Sequence, residues 1–323
     1  MNAFDPAALE CLAALADAGS FERAAQALSI TQSAVSQRLR ALETDLGQRL
    51  VVRARPLRFT EPGRVLLRFA RQMRAMQADL ARELDLSITR DERLPIAVNA
   101  DSLATWVLDA LDPVVQQGLA EGFGIELIVD DQDFTHDWLR EGHVLGCVST
   151  VSEPLRGCQV TPLGSMRYIA VASPAFIARA LPEGLNRANV ARLPWLVFNR
   201  KDDMHAVWVA QAFGVQGMRL RERPVPSTEA HARAAVQGWG IGVMPEQMAA
   251  PWIAGGQLQP LQPDVHIDVL LHWHQWRLPA AAGATGINTS SSTEARPRQG
   301  SALDRIGQAL AAGAQRALRP APG

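Results

Sequence analysis

Side chains that can read DNA recur on one face of a helix predicted to begin after Thr31. Arginine and glutamine make paired hydrogen bonds to base edges, and serine hydroxyls bond to bases or phosphates. The polar face consists of Gln32, Ser33, Ser36, Gln37 and Arg40, with Arg38 towards one flank. A surface helix that contacts only water has the same kind of face, so this pattern alone leaves both interpretations open.

The apolar side chains of this helix lie on its opposite face. They recur at steps of four, three and four residues, the period of an amphipathic helix, at Val35, Leu39, Leu42 and Leu46. Thr31 can cap this helix, and Ser20 can cap a shorter helix before it. Ser29 and Ile30 interrupt the helical pattern between the two. Two short helices joined by a tight turn and followed by arginines favour a helix-turn-helix.

An arginine-rich hairpin is predicted directly after the second helix. Its strands are expected at Leu50 to Arg53 and at Leu57 to Phe59, around a turn at Pro56. The side chains placed to touch phosphates or to enter a minor groove are Arg53, Arg55 and Arg58. A solvated arginine-rich turn is the alternative interpretation.

A long helix is predicted from Glu61, with Pro62 in its first turn. Its apolar residues alternate at steps of three and four, the spacing of a coiled-coil seam, at Leu66, Phe69, Met73, Met76 and Leu80. A seam of this length needs a second helix, so we expect a homodimer through it. Packing of the helix on its own domain is the alternative. A dimer would hold two recognition helices at the spacing of two DNA half-sites.

Three stretches of the chain resemble one family. FERAAQALSITQSAVSQRLRALETDLGQRLVVRARPLRFTEPGRVLL, residues 21–67, is similar to the N-terminal winged helix-turn-helix of LysR-type transcriptional regulators. AVNADSLATWVLDAL at 97–111 and DDMH at 202–205 resemble the branch that responds to basic amino acids, the ArgP/IciA and LysG regulators. The likeness extends to about Arg277. It implies a regulator that binds a double-stranded DNA operator as a homodimer or homotetramer and contacts RNA polymerase. The sequence shows no nucleophile-base constellation, so we expect no enzyme.

Apolar strands alternate with helical stretches after about residue 91, which indicates an α/β fold. The family implies that this part forms two subdomains with a cleft between them, like a periplasmic binding protein. We therefore divide the chain into a winged helix-turn-helix DNA-binding domain (1–60), a linker and dimerisation helix with a hinge (61–90), and an effector-binding α/β domain (91–323). Residues 279–300 are rich in small and polar side chains and are predicted to be a flexible insertion.

Charge is distributed unevenly along the chain, although the net charge is −1. Between residues 20 and 75 there are eleven arginines and four carboxylates, whereas between 101 and 141 there are ten carboxylates and one arginine. This pattern suggests an anion-binding head and an acidic body that can receive a cation. No apolar run approaches the ~18 residues of a membrane span, so we expect a cytoplasmic protein. The three cysteines are too few and too scattered for a disulfide framework or a zinc site, and we expect no cofactor.

Polar residues at predicted strand ends mark the expected ligand site, because ligands of α/β sheets bind beyond the carboxyl ends of strands. An amino-acid effector needs donors for its carboxylate and acceptors for its ammonium group, and a second cation needs an extra carboxylate. The candidates are Asp101, Ser102, Ser149, Thr150, Asp202, Asp203, His205, Ser227 and Glu229, with Asp130 and Asp131 less favoured. A solvated surface position is the alternative for each carboxylate. The resemblance favours Asp101, Ser102, Asp203 and His205.

The resemblance also predicts lysine or arginine as the effector, and genes of basic amino acid export or metabolism as targets. Two other functions stay open: a LysR-type regulator of another effector, such as a carboxylate or an aromatic acid, and an architectural or replication-origin DNA-binding protein. The glycines of QGWGIGVMP precede an apolar strand, so we interpret them as a packing or turn signal rather than a nucleotide loop. His272 and His274 share one face of a strand, and we expect both to be structural.

Overall fold

The computed structural model of the chain describes residues 4–52, 54, 56–84, 86, 92–130, 135–277 and 300–321. Arg53 and Arg55 of the predicted hairpin, Asp131, and residues 279–299 of the predicted insertion lie outside the described residues. The side chain of Asp130 does so as well. Within the described residues, no helix is both long enough and apolar enough to cross a membrane.

The N-terminal domain is a winged helix-turn-helix. Its elements are α1 (Pro6–Ala18), α2 (Phe21–Ala27), α3 (Gln32–Leu46), β1 (Val51–Val52) and β2 (Arg58–Phe59). The two short strands pair antiparallel, with Val51 opposite Phe59. Its core is made mainly of leucines, of which the most deeply buried are Leu9, Leu12, Leu15, Leu50 and Leu67.

The turn between α2 and α3 is built from the residues that interrupt the helical pattern. Ser29 has a φ of +54°, and this left-handed conformation ends α2. The Ser20 hydroxyl accepts a hydrogen bond from the Arg23 backbone N–H at 3.2 Å, and the Thr31 hydroxyl accepts one from the Ala34 N–H at 3.1 Å. Both predicted N-caps are therefore confirmed, and together they fix where each helix begins.

The long helix α4 (Glu61–Glu83) joins the two domains. Its first turns contribute Leu66 and Leu67 to the core of the N-terminal domain, whereas Ala75 further along is buried in the core of the second domain. One helix thus packs against both parts of the chain, and a shift of either part acts on it directly.

Arg71 of α4 lies at the junction of the two domains and is only 8% exposed. Its Nη1 donates to the backbone carbonyl of Gly142 at 2.7 Å, and its Nη2 pairs with Asp17 of α1. Arg74, one turn further, pairs with both Glu10 and Asp17. Since Gly142 belongs to the second domain and Asp17 to the first, the Arg71 guanidinium connects them.

The second domain contains the remaining elements. In the first half these are β3 (Glu92–Asn99), α5 (Ala100–Ser102), a π-helical turn (Leu103–Val107), α6 (Leu108–Glu121), β4 (Phe123–Asp130), α7 (Thr135–Arg140), β5 (Gly146–Ser149) and β6 (Cys158–Ala172). Then follow α8 (Pro174–Ala180), a 3-10 turn (Val190–Arg192), β7 (Pro194–Val197), α9 (Met204–Phe213), β8 (Arg221–Pro224), α10 (Thr228–Val236), β9 (Ile241–Pro245), α11 (Glu246–Ala254), β10 (Gln259–Pro260), β11 (His266–Trp276) and α12 (Ala302–Ala317).

The described strands of this domain form one curved sheet in the order β4-β3-β5-β11-β6-β9-β7-β8, with β10 paired to β6. Strands β4, β3 and β5 are parallel and form the first subdomain, and β9, β7 and β8 are parallel and form the second. The antiparallel strands β6 and β11 run through both, because β11 pairs with β5 and β6 pairs with β9. The domain therefore has the expected two-subdomain α/β fold.

Strand β6 continues through Pro162 and Gly164, residue types that normally mark turns and would divide a strand in a sequence pattern. Gly164 has a φ of +129°, and the register between β6 and β11 shifts nearby, between Leu271 and His272. Such an irregularity bends a strand pair, here where it passes from one subdomain to the other.

Candidate functional site

The polar face of α3 is presented to solvent as predicted. Val35, Leu39 and Leu42 are buried, and they hold the helix against α1 and α2. The side chains on the opposite face are exposed for Gln32, Ser33, Gln37, Arg38 and Arg40, and half-buried for Ser36. Since N-terminal residues of a recognition helix are the ones that contact bases, this face can enter a major groove.

Glu43 fixes the recognition helix relative to the hairpin, a role that the sequence pattern did not indicate. Its carboxylate oxygen Oε1 accepts hydrogen bonds from the backbone N–H groups of Leu50 at 2.8 Å and Val51 at 3.3 Å. Arg58, on β2, is exposed on the same hairpin. Helix and hairpin are thereby held as one unit, which a reader of two adjacent grooves requires.

A cleft opens at the carboxyl ends of β3, β7 and β8, with a volume of about 740 Å³ that includes its open mouth. The first subdomain contributes Asn99, Ala100 and Asp101 to its lining. The second contributes Phe198, Lys201, Asp202, Asp203, Met204, Thr228, His231, Val243, Met244, Pro245 and Met248, and β6 contributes Tyr168. Three predicted residues are thus brought together: Asp101, Asp202 and Asp203.

Asp101 is hydrogen-bonded across the cleft. Its Oδ2 accepts a hydrogen bond from the hydroxyl of Tyr168 at 2.7 Å. Tyr168 is the single tyrosine of the sequence and lies on the half of β6 that pairs with β9 of the second subdomain. The bond therefore orients the Asp101 carboxylate and also connects the two subdomains.

Asp202 and Asp203 are neighbours with different roles. Asp202 uses both oxygens to shape its own loop, because Oδ2 accepts from the Phe198 N–H at 2.7 Å and Oδ1 from the Met204 N–H at 3.1 Å. Asp203 stands at the N-cap of α9, but its side chain makes no capping hydrogen bond and is exposed at the cleft. Of the two carboxylates, Asp203 is therefore the one that is exposed at the cleft.

The other six predicted residues lie outside the lining of this cleft, and their contact with a ligand stays a prediction: Ser102, Ser149, Thr150, His205, Ser227 and Glu229. Ser102 and Ser149 are completely buried. A strand end fixes where the chain emerges, but it does not fix the direction of the side chain, so neighbours of a lining residue can point into the core.

His205 and Ser227 have structural partners instead. The Nε2 atom of His205 lies 3.3 Å from a carboxylate oxygen of Glu222, and the ring is buried beside Trp195. The Ser227 hydroxyl caps α10 by accepting from the Ala230 N–H at 3.3 Å. Both residues support the loops that carry the cleft.

Three buried polar atoms of the cleft have no hydrogen-bond partner among the described residues: Asn99 Oδ1, Thr228 Oγ1 and His231 Nε2. A buried polar group without a partner costs about 1–3 kcal/mol, so such atoms mark where a ligand or water binds. Burial lowers the pKa of His231 to about 4, against an ordinary value of 6.5, so its ring is neutral at pH 7.

Two family descriptions match the chain. Residues 6–64 match the bacterial regulatory helix-turn-helix protein of the lysR family, and residues 89–285 match the LysR substrate binding domain. The chain belongs to the LysR family. It is thus a DNA-binding transcriptional regulator with an effector-binding domain, and no enzyme.

Relatives and solved structures place this LysR-family chain more finely. ArgP of Aeromonas salmonicida is 43% identical over 283 residues, covering 86% of this chain and 92% of the relative. LysG of Mycobacterium bovis is 39% identical over 307 residues, covering 90% and 96%. The crystal structure of ArgP from Mycobacterium tuberculosis has a TM-score of 0.77 at 37% identity, with coverage of 97% and 98%. Full-length LysG from Corynebacterium glutamicum with bound effector Arg has a TM-score of 0.71 at 34% identity, with coverage of 98% and 100%.

This LysR-type regulator is therefore of the ArgP/LysG kind.

The glycines of QGWGIGVMP serve close packing: a Cβ on Gly240 would collide with the backbone carbonyl of Pro194, and one on Gly242 would lie 3.1 Å from His231 Nε2. Tyr168, Lys201, Thr228 and His231 line the cleft but were not predicted as site residues. Tyr168 could have been noticed because it is the single tyrosine of the sequence.

Proposed function

We propose that this LysR-type regulator binds lysine or arginine in the cleft and changes its operator binding in response. The observation that carries the proposal is the pair of carboxylates, Asp101 and Asp203, presented from the two subdomains. A cation removed from water needs such partners, since burying an unpaired charge is strongly unfavourable. The similarity to LysG with bound Arg supports the same ligand class here.

Coupling to DNA requires that the ligand bind one arrangement of the chain better than another, by ~1–3 kcal/mol in typical cases. A ligand between Asp101 and Asp203 would favour approach of the two subdomains. The Arg71 guanidinium, bonded to Gly142 and Asp17, offers a direct contact through which that movement reaches the N-terminal domain.

The proposed operator contacts follow from α3 and the hairpin. Gln32, Ser33, Ser36, Gln37 and Arg40 would read bases, while Arg38, Arg58 and, outside the described residues, Arg53 and Arg55 would contact phosphates. Such a regulator works where the operator is, so we place it in the cytoplasm.

Self-association is proposed through α4. Phe69, Met76 and Leu80 of the predicted seam are between 39% and 49% exposed, which is unusual for apolar side chains at this spacing. Leu66 and Met73 pack on the N-terminal core instead, so the seam is shorter than predicted. The partner that fits this apolar stripe is the same helix of a second copy.

A second apolar stripe lies on α6, where Leu108, Val115 and Leu119 are 57%, 39% and 75% exposed. We propose that it pairs effector domains, so that two dimers form a tetramer. Sedimentation of the protein with Leu80→Glu and with Leu119→Glu would test the two surfaces. Each substitution should remove one contact and convert the tetramer into a dimer that is held by the other surface. Contact with RNA polymerase and control of basic amino acid genes stay predictions.

Isothermal titration calorimetry with lysine, arginine and histidine tests the proposed effector. We expect saturable heat with lysine or arginine, and at least a tenfold loss of affinity in Asp203→Asn, because a charge-assisted hydrogen bond contributes ~1.5–3 kcal/mol. Asp202→Asn is the matched control, since that carboxylate is occupied by backbone N–H groups. No heat with any of the three amino acids would contradict the proposal and favour another effector.

A further inference from the structure

The first turn of α10 faces the cleft with hydrogen-bond donors. This helix has nine residues, from Thr228 to Val236, and Thr228 lines the cleft with a buried hydroxyl that has no partner among the described residues. Ser227 caps the helix by bonding to the Ala230 N–H, which leaves the N–H groups at the very start of the helix for other partners. A helix N-terminus attracts negative charge.

His231 provides an independent second observation. It lies one turn beyond Thr228 on the same helix, is 6% exposed, and lines the cleft. Its Nε2 is buried without a hydrogen-bond partner among the described residues. Gly242 leaves room for this ring, since a Cβ there would come within 3.1 Å of Nε2. In the tautomer that carries its proton on Nε2, this ring is a second donor that a ligand acceptor can satisfy.

The geometry points to a carboxylate subsite: we propose that the Thr228 hydroxyl, the His231 Nε2–H group and the start of α10 bind the α-carboxylate of the effector. This inference rests on the proposed function and adds the orientation of the ligand. With the carboxylate at α10, the cationic groups are directed to Asp101 and Asp203. Because the His231 ring is neutral, it donates a hydrogen bond without placing another cation beside those of the ligand.

The start of α5, which carries the candidate residue Ser102, is a poorer anion site. Asp101 lies in its first turn and repels a carboxylate. Ser102 also has a buried hydroxyl without a partner among the described residues, but it lies outside the lining. In α10 the first-turn carboxylate belongs to Glu229, which is exposed and outside the lining. Lys201 also lines the cleft and carries a positive charge, so the experiment has to separate its effect from that of α10.

The test compares L-arginine with agmatine, which is arginine without its carboxylate, on the full-length protein by calorimetry. Thr228→Val, which keeps the side-chain volume, and His231→Gln should weaken arginine binding about tenfold or more and leave agmatine binding unchanged. Asp203→Asn should weaken both ligands. Lys201→Met should change the arginine-to-agmatine preference less than Thr228→Val does. Melting temperatures identify any variant that fails to fold. If His231→Gln fails to fold, the result for Thr228→Val alone decides the test.

Equal losses for arginine and agmatine in Thr228→Val, an unchanged arginine affinity, or loss of the preference only in Lys201→Met would overturn the subsite. A wild-type protein that binds neither lysine nor arginine would instead overturn the proposed function. A crystal structure of the arginine complex gives a second readout. The carboxylate should lie within hydrogen-bonding distance of Thr228 Oγ1 and His231 Nε2, and a carboxylate bound at Lys201 or α5 contradicts the assignment.

Discussion

The DNA-reading helix and the effector cleft are built in different ways. The face of α3 comes from one run of fifteen residues, in which the helical period alone separates buried from exposed side chains. The cleft instead combines residues near positions 100, 168, 201, 230 and 244, which only the folded sheet brings together. The first region can therefore be altered one residue at a time with local consequences, whereas a change in the second acts on both subdomains.

The largest expected effect is a loss of stability in the N-terminal domain that leaves the cleft intact. Leu39→Ala removes a side chain that is 4% exposed and should destabilise the N-terminal domain by ~2–5 kcal/mol. Operator affinity should fall strongly in gel-shift titrations, while the calorimetric affinity for arginine should stay within about twofold. A parallel loss of arginine affinity would show that the regions are not separable.

Changes on the exposed face of α3 should affect specificity without affecting stability. Arg40→Ala and Ser36→Ala should each weaken specific operator binding by ~1–3 kcal/mol if the residue makes a good base contact. Thr44→Ala, further along the same helix, serves as a control outside the proposed reading face. The measurement is the ratio of operator to random-DNA affinity at fixed salt, and an unchanged ratio would remove either residue from the reading face.

Acid should affect the cleft through His231. The unfolded imidazole has a pKa of 6.5 and the folded one about 4, so the unfolded state binds the proton first and stability is lost as pH falls through this window. From pH 7 to pH 5 this group should cost about 2 kcal/mol of unfolding free energy. Urea denaturation of His231→Gln at both values should show a smaller pH dependence than the wild type, and an identical dependence would rule out a buried neutral ring.

The smallest effect is expected for the bond across the cleft. Tyr168→Phe removes the hydroxyl that donates to Asp101. This should destabilise the state that contains the hydrogen bond by roughly 1 kcal/mol. We expect a several-fold change in arginine affinity with operator affinity unchanged in the absence of arginine. If arginine affinity is the same in the variant, the hydroxyl does not position the Asp101 carboxylate.

The features that could be predicted from the sequence are those set by residues close together in the chain. Val35 and Leu39 follow the helical period and are buried, and the Thr31 hydroxyl caps the helix by reaching an N–H three residues on. The role of the opposite face in reading DNA stays a prediction. Asp101 and Asp203 were predicted as cleft candidates because strand ends and family motifs marked them, and their role as ligands stays a prediction.

Other parts of the cleft depend on how distant segments meet. Tyr168 reaches Asp101 because β6 passes through both subdomains, and half of that strand was concealed by Pro162 and Gly164. His231 enters the lining because Gly242 leaves space for it on a neighbouring strand. Ser102 is buried outside the lining for the same reason, since the direction of a side chain at a strand end is set by packing that one-dimensional patterns do not contain.

Control of the DNA-reading helix by the cleft can be measured in one titration experiment. Operator fragments and random fragments are titrated with wild-type protein and with Asp203→Asn, at moderate ionic strength, with and without arginine or lysine. We expect preferential operator binding that changes about 5- to 150-fold with one of these amino acids in the wild type, and a much smaller response in Asp203→Asn. Uniform retardation of every fragment, or operator binding indifferent to both amino acids, would contradict it.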